Sequence, residues 1–229
     1  MPLILQIETA TTSCSIALVQ DGQVLAIKEL DQRNVHAEVI TLFIEEVCSA
    51  ANKKYKDLDA IAVSSGPGSY TGLRIGVSTA KGLCYALDKP LIAVETLKAM
   101  ADGMTKRQPN NLTDNTLFCP MIDARRMEVF TALFDAKGNK VMATEAMIVD
   151  ADSFGEYLKA HPIVFFGDGA EKCRETLNHP NAKFVTGFAN SAADLTQSAL
   201  AKFNAADFEN VAYFEPYYLK DFIAGVKKV

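Results

Sequence analysis

The chain has no tryptophan, three histidines and five cysteines, and no apolar run approaches the roughly 20 residues that a membrane-spanning helix needs. Each shortage excludes something. Cys14, Cys48, Cys84, Cys119 and Cys173 are odd in number, scattered and never spaced as C-x-x-C. This argues against a disulfide framework and against a zinc site. All five sit among apolar neighbours, where cysteine acts as a small hydrophobe, and the compartment expected is the reducing cytosol. His36, His161 and His179 lie far apart with no i, i+4 pair, so each is expected to be solvated or locally satisfied. Cations are also short, 23 Lys and Arg against 28 Asp and Glu, for a net charge of −5. That balance argues against a chain that grips nucleic acid by itself, and the Lys227-Lys228 pair is too small to change it. There is no Gly-x-Ser-x-Gly elbow. The opening Met1-Pro2-Leu3-Ile4-Leu5 lacks a basic start and is expected to enter a strand, not to form a secretory signal.

What remains is ordinary globular material. The 229 residues suffice for one large domain or two small ones. They are 49% hydrophobic and 22% charged, the balance of a protein with a packed core.

The stretch Ser65-Gly66-Pro67-Gly68-Ser69-Tyr70-Thr71-Gly72 organises the chain. An apolar run, 60–63, enters it as a buried strand. Pro67 and the two glycines end that strand. Beyond Thr71, Leu73, Val77, Ala80, Cys84 and Leu87 recur at spacings of three and four, which predicts a helix. A strand, turn and helix in this order leave N–H groups at the helix start that suit an anion, or simply join two core elements. Gly72, Gly76, Ala80 and Cys84 fall on one helix face. A small-residue face permits close packing, either within the fold or against a helix of another subunit.

Taken in order, residues 3–8, 14–20 and 23–30 read as strands, with Asp21-Gly22 as a hairpin turn. A helix follows over 35–51, its stripe made by Val39, Ile40, Phe43, Ile44 and Val47. The strand at 60–63, the glycine helix to residue 87 and a strand at 91–94 complete a β-β-β-α-β-α-β order. This is the order of a ribonuclease-H-like layer with a mixed sheet. A short helix spans 96–103. Residues 105–115, rich in Gln, Pro, Asn and Thr, read as a linker, which divides the chain into lobes 1–104 and 105–229. Strands at 117–122, 129–134 and 141–148 then form a second meander. A helix at 153–160, a strand at 163–166, a helix at 171–177, a strand at 183–185 and a helix at 191–205 follow. The second half thus repeats the pattern of the first in shorter form. The aromatic tail from Tyr213 to Phe222 is expected to dock on the body or on a partner.

Several of these stretches resemble the TsaB (YeaZ) family. They are 7–11, 65–76, Lys81-Gly82-Leu83, 90–97, and Asp123-Ala124-Arg125-Arg126-Met127-Glu128-Val129-Phe130. The likeness covers nearly the whole chain and is most specific in the glycine-rich stretch. It implies an α/β, actin-like (Hsp70/sugar-kinase) fold of two ribonuclease-H-like lobes. It implies a non-catalytic scaffold or activator in the synthesis of threonylcarbamoyladenosine beside the tRNA anticodon. The partners implied are the paralogue TsaD, which transfers the group, and the ATPase TsaE, with a homodimer when the chain is alone, tRNA only within the complex, and no membrane. The contact would use Val39, Ile40, Phe43 and Val47 of one helix, with Gly72, Leu73, Gly76, Ala80 and Leu83 of the next.

Chemistry by the chain itself has little support. The catalytic relative carries a metal-binding His-x-x-x-His where Thr96 and Met100 stand here, and neither holds a divalent metal as an imidazole does. No catalytic residue and no metal ligand is assigned. In actin-like ATPases the first hairpin holds phosphate within a glycine-containing turn, whereas Glu8-Thr9-Ala10-Thr11-Thr12-Ser13 has no glycine. Glu8 would orient a magnesium-bound water or, as the plainer alternative, pair with Arg74 or a lysine. Glu8, Thr9, Thr11, Ser65, Gly66, Asp123, Gly167 and Gly169 are the residues that would face a nucleotide or phosphate. No cofactor is required, and weak ATP or ADP with magnesium at the subunit junction is the one allowance. The competing functions are an independent ATPase or small-molecule kinase of the same fold, and a metallopeptidase.

Overall fold

The computed structural model describes residues 2–107, 113 and 115–220. Part of the expected linker, the end of the aromatic tail and Lys227-Lys228 lie outside the described residues. The first half builds β1 (Leu3–Glu8), β2 (Ser13–Gln20), β3 (Gln23–Asp31), α1 (His36–Ala50), β4 (Ala60–Ser64), α2 (Tyr70–Leu87) and β5 (Leu91–Val94). Its sheet runs β3-β2-β1-β4-β5. β1 is antiparallel to β2 and parallel to β4. Asp21 and Gly22 both take positive φ, 51° and 80°, as a tight turn between twisted strands requires.

After α3 (Thr96–Arg107) the second half builds β6 (Leu117–Asp123), β7 (Glu128–Phe134), β8 (Lys140–Ile148), α4 (Gly155–Ala160), β9 (Ile163–Phe166), β10 (Ala182–Val185) and α5 (Thr196–Asn204). This sheet runs β10-β9-β6-β7-β8. β6 is antiparallel to β7 and parallel to β9, so each strand of the first sheet has a counterpart in the second. The helices are less equal. Where α2 connects β4 to β5, β9 and β10 are joined by only a single 3-10 turn, Glu171–Cys173, in place of the helix expected over 171–177. The helix expected over 191–205 starts as a 3-10 turn, Ala192–Leu195, before α5.

Alternation along β1 and β6 sets the layers. Leu3, Leu5 and Ile7 meet α1 and α2 through Ile40, Val47, Val77 and Ala80. On the opposite face Ile4 joins Ala62, Val94, Ala99, Leu195 and Ala199, so α5 returns to the first sheet. In the second sheet, Phe118 and Ile122 pack on Met100 and Met104 of α3. Leu117, Cys119 and Met121 face α4. Helices α3 and α5 are joined by Asp102, which accepts from Lys98 (2.5 Å) and from Ser198 (3.1 Å). No described helix is long and apolar enough to cross a membrane.

The glycine-rich turn is satisfied from within. Ser65 N–H donates to Val94 O, Gly66 N–H to Thr96 Oγ1, Ser69 N–H to Ala10 O, and the Ser69 hydroxyl caps α2 by accepting from Gly72 N–H. Gly68 and Gly72 lie against the carbonyls of Ala10 and Thr9, and Gly76 against the Thr9 hydroxyl, so a Cβ at any of them would collide. The small face of α2 is therefore a seat for the β1–β2 turn. Ala80 and Cys84 continue it into the core. This corrects the contact set inferred above: Ile40, Val47, Gly72, Leu73, Gly76 and Ala80 are buried within the chain and offer nothing to another subunit.

Gly82 differs: it is exposed, and a Cβ added there would have nothing within 4 Å. Gly72→Ala is expected to cost about 1–3 kcal/mol by overpacking. Gly82→Ala is expected to gain about 0.5–1 kcal/mol by helix propensity. Urea denaturation of the two variants checks the pair.

Candidate functional site: the interlobe cleft and an exposed helix face

Three turns converge between the sheets: β1–β2, β6–β7, and the exit from β9 at Gly167-Asp168-Gly169. They help to frame a polar cavity of about 290 Å³ lined by Thr12, Asp31, Gln32, Arg33, Asp123 and Asp168. Thr12 Oγ1 donates to Asp31 (2.5 Å), and Asp168 Oδ1 accepts from Asp123 N–H (3.0 Å). Asp123 also accepts from Arg125 N–H and pairs with Lys172. Burial pushes the Asp168 carboxyl up, against the backbone hydrogen bond that favours its charge. Of the residues expected to face a phosphate, only Asp123 lines this cavity and is exposed; Thr11 and Gly167 are half-buried, and Ser65 lines a separate cavity with Val94, Glu95 and Tyr217. Gly167 has φ +104° and abuts the Met121 carbonyl, and Gly169 abuts the backbone at Ile122 and Asp123. Close approach of the β9 exit to β6 explains both glycines.

Glu8, Thr9 and Gly66 are removed from the cleft. Glu8 is 1% exposed. Its Oε1 accepts from Ala10 N–H (2.6 Å) and from the Ser64 hydroxyl (3.0 Å). Among the described residues the ion pair with Arg74 or a lysine does not form. β1 carries Glu8 into the interior, whereas Arg74 is on the outer side of α2 and donates to Tyr70 OH (2.9 Å). Around Glu8 runs a polar seam between the first sheet and residues 190–196. Ser13 Oγ donates to Asn190 O (2.6 Å), Ala192 N–H to Ser15 Oγ (2.8 Å), and Thr196 Oγ1 to Gln6 Oε1 (3.1 Å). Among the described residues Gln6 Nε2 and Thr9 Oγ1 are buried without a hydrogen-bond partner, and Asn190 Nδ2, which makes no full hydrogen bond, is turned toward Glu8 and favours its charged form. Burial raises the Glu8 carboxyl to about 7, opposed by Ala10 N–H and Ser64, and Asp194 adds to the rise.

The fold class implies ATP with magnesium in such a cleft, and these residues do not fit it. The β1–β2 turn has no glycine, and its carboxylate is turned inward onto Ala10 and Ser64. The lining carries Asp31, Asp123 and Asp168 against Arg33, with Asp123 already paired to Lys172, so carboxylates outnumber the cations that a polyphosphate would need. Among the described residues no group of three His, Cys, Asp or Glu could hold a metal. Thr96 is buried and accepts from Gly66 N–H, and Met100 packs beside Gly167. His36 is buried with Nε2 at 3.2 Å from Ser13 O, His161 Nδ1 lies 3.1 Å from the Asn115 carbonyl across the second lobe, and His179 Nδ1 accepts from Asn181 N–H.

The second feature is the outward side of α1 and α2. Leu42 is 54% exposed and Tyr85 87%. Val39, Phe43 and Leu83 are half-buried at the edge of the core. Gly82 and Tyr85, three residues apart, share a face of α2. Sequence reading missed Leu42 and Tyr85 because both lie off the inward stripe. Large apolar side chains off-stripe on an amphipathic helix were the available signal. Asp31, Arg33 and Asp168 were missed because only the fold brings β3 to β9.

Two mixed-sheet lobes of like topology around a cleft define the actin-like class that includes sugar kinases. The likeness to the inorganic polyphosphate/ATP-glucomannokinase of Arthrobacter, TM-score 0.50 at 11% identity over 90% of this chain and 100% of that one, is one of fold alone. YeaZ from Pseudomonas aeruginosa superposes with a TM-score of 0.82 at 24% identity, covering 96% of this chain and 100% of that one. A family model described as TsaD, tRNA N6-adenosine threonylcarbamoyltransferase, matches residues 23–213. The tRNA threonylcarbamoyladenosine biosynthesis protein TsaB of Bacillus subtilis is 32% identical over 72% of this chain and 70% of its own length. The TsaB of Escherichia coli is 36% identical over 63% of this chain and 62% of its own length, so that match spans less than two thirds of the relative. The chain belongs to the TsaB (YeaZ) family, within the wider TsaD-like group.

The buried carboxyl gives a pH test. Glu8 titrates near 4.5 when unperturbed and near 7 in the fold, so the native state binds its proton more tightly. Its contribution is favourable at low pH and is lost as pH rises through about 7. Relative to the parent, Glu8→Gln is expected to gain stability steadily from about pH 5 to about pH 7.5, by up to about 3 kcal/mol. Urea denaturation across that range checks it, and parallel curves would refute the assignment.

Proposed function

We propose that this chain is a non-catalytic partner subunit in the synthesis of threonylcarbamoyladenosine on tRNA. It acts by dimerising with its TsaD paralogue through the outward side of α1 and α2. The observation that carries the reading is Gly82 beside Tyr85. A glycine in a helix interior costs about 1 kcal/mol against alanine. Gly72 and Gly76 are explained by the turn they seat, but among the described residues nothing packs within 4 Å of where a Cβ at Gly82 would lie. An incoming helix backbone supplies the missing reason, and Leu42 and Tyr85 supply apolar area for it to cover.

The occupant follows from kinship. A chain matched by the TsaD family model shares the fold of TsaD, so the paralogue offers the same pair of helices and the two pack as near-symmetric halves. A second copy of this chain takes the same place when TsaD is absent, and TsaE joins the assembled pair. The cleft of this chain, lined by carboxylates and without a phosphate-holding turn, leaves transfer chemistry to the partner. In this reading any adenine nucleotide with magnesium sits at the junction between subunits.

Mixing the chain with TsaD from the same genome at micromolar concentration is expected to give one mass, by light scattering, equal to the sum of both. Leu42→Arg and Tyr85→Arg are each expected to weaken association at least tenfold, about 1.4 kcal/mol, with unchanged thermal unfolding. Two unaltered separate masses for the parent proteins would refute the partnership. Turnover of ATP by the lone chain would favour the kinase reading instead.

A further inference from the structure

The C-terminal segment crosses from one lobe to the other. Glu209 N–H donates to Leu91 O at the edge of the first sheet, and Lys81 of α2 donates to the carbonyls of Ala212 (3.3 Å) and Phe214 (2.8 Å). Tyr217 N–H then donates to Ser65 O (2.7 Å), with its carbonyl against Gly66. Tyr218 packs on Tyr70 at 5.0 Å, the Arg74 guanidinium lies 5.0 Å from the Tyr70 ring centre, and Lys220 reaches Glu128 of β7 (2.5 Å). Glu128 N–H donates to Arg125 O, which closes the β6–β7 turn.

This path joins two patches that are remote in sequence. One is Tyr70, Arg74 and Tyr218, and the other is Arg125 and Arg126 at the tip of the turn, with Lys220 between them. Arg74, Arg125 and Arg126 are exposed, and among the described residues none of the three has a carboxylate partner. The acids nearest in the chain are largely committed. Glu128 is held by Lys220 and Asp123 by Lys172, which leaves Glu215 as the acid facing Tyr218. On a chain of net charge −5, three such arginines beside two tyrosines packed at a tilt form a local exception. Single-stranded nucleic acid is bound by this combination, cations for the phosphates and aromatic rings for unpaired bases. A duplex presents no unstacked base and would use the arginines alone.

We infer that Tyr70, Arg74, Tyr218, Lys220, Arg125 and Arg126 form a contact surface for single-stranded RNA, with phosphates on the arginines and an unpaired base on Tyr218. The inference rests on the reading that the chain serves modification of a tRNA, and it adds the region that touches the RNA. The surface is small, so the chain alone binds weakly and the assembled pair binds well.

The test is fluorescence anisotropy with a labelled anticodon stem-loop RNA, and a blunt duplex of equal length as the control. It is run on the full chain at high concentration and on its mixture with TsaD, with light scattering on the same samples. Tyr218→Ala is expected to lower stem-loop affinity about five- to tenfold and to leave duplex affinity unchanged. Arg125→Gln with Arg126→Gln is expected to lower affinity about tenfold and to flatten the salt dependence by about 1.4 in log–log slope. Masses in light scattering and thermal unfolding are expected to stay as in the parent. Arg74→Gln, on a different element, repeats the charge test if the turn variant unfolds. The inference is overturned if the variants stay within twofold of the parent, if duplex and stem-loop respond alike to Tyr218→Ala, or if the parent gives no RNA signal in either sample. It is also overturned if the variants change association with TsaD and not RNA binding, which would make the surface a protein contact. Separate masses alongside a variant-sensitive RNA signal would refute the partnership and leave this surface standing.

Discussion

The seating of the β1–β2 turn on the glycine face of α2 is the contact on which the remaining structure depends. Gly68, Gly72 and Gly76 allow the backbone of Thr9 and Ala10 to lie against the helix start. Ser69 N–H then reaches the Ala10 carbonyl and the Ser69 side chain caps the helix. Two consequences follow. The turn that would face a phosphate in an actin-like enzyme is pinned from behind, with Glu8 folded inward onto Ala10 and Ser64. The inward face of α2 is consumed, so only the other side of that helix, with Gly82 and Tyr85, remains for another protein.

Burying Glu8 is costly, and the structure offsets this with geometry, not with a counter-charge. A carboxylate moved from water into a low-dielectric interior takes up a proton unless it is paired or well solvated by hydrogen bonds. Here a backbone N–H and a hydroxyl give partial compensation, and the carboxyl rises to about 7. The amide groups of Gln6 and Asn190 belong to the same seam, where the segment before α5 returns to the first sheet. This junction is polar where the layers beside it are apolar. The β1–β2 turn seals the Glu8 carboxyl away from the cleft.

The two halves have one topology and unequal burdens. The first sheet keeps long helices on α1 and α2, which both build its core and present an outward face. The second has only α4 and a 3-10 turn on the equivalent side. Its shorter connections bring the β6–β7 turn and the β9 exit to the cleft, and the C-terminal segment ties that turn to α2 through Lys220 and Tyr218.

The strands, their order along the chain and the hairpin at Asp21-Gly22 were legible in the sequence, whereas α2 begins at Tyr70 under a Ser69 cap, just ahead of the periodicity that starts beyond Thr71. Each is written in local periodicity or turn chemistry, which act over a few residues. What the sequence left open was direction. The stripe on α1 and the small face on α2 fit an internal neighbour as well as an external one, and only packing against β1 and its turn decided that Ile40, Val47, Gly72, Gly76 and Ala80 point inward. The same holds for Glu8, which reads as a strand-end acid within reach of Arg74 until the sheet carries the two to opposite sides of the layer. Burial and facing are sums over contacts between distant segments, so they became definite only once the whole chain had closed on itself.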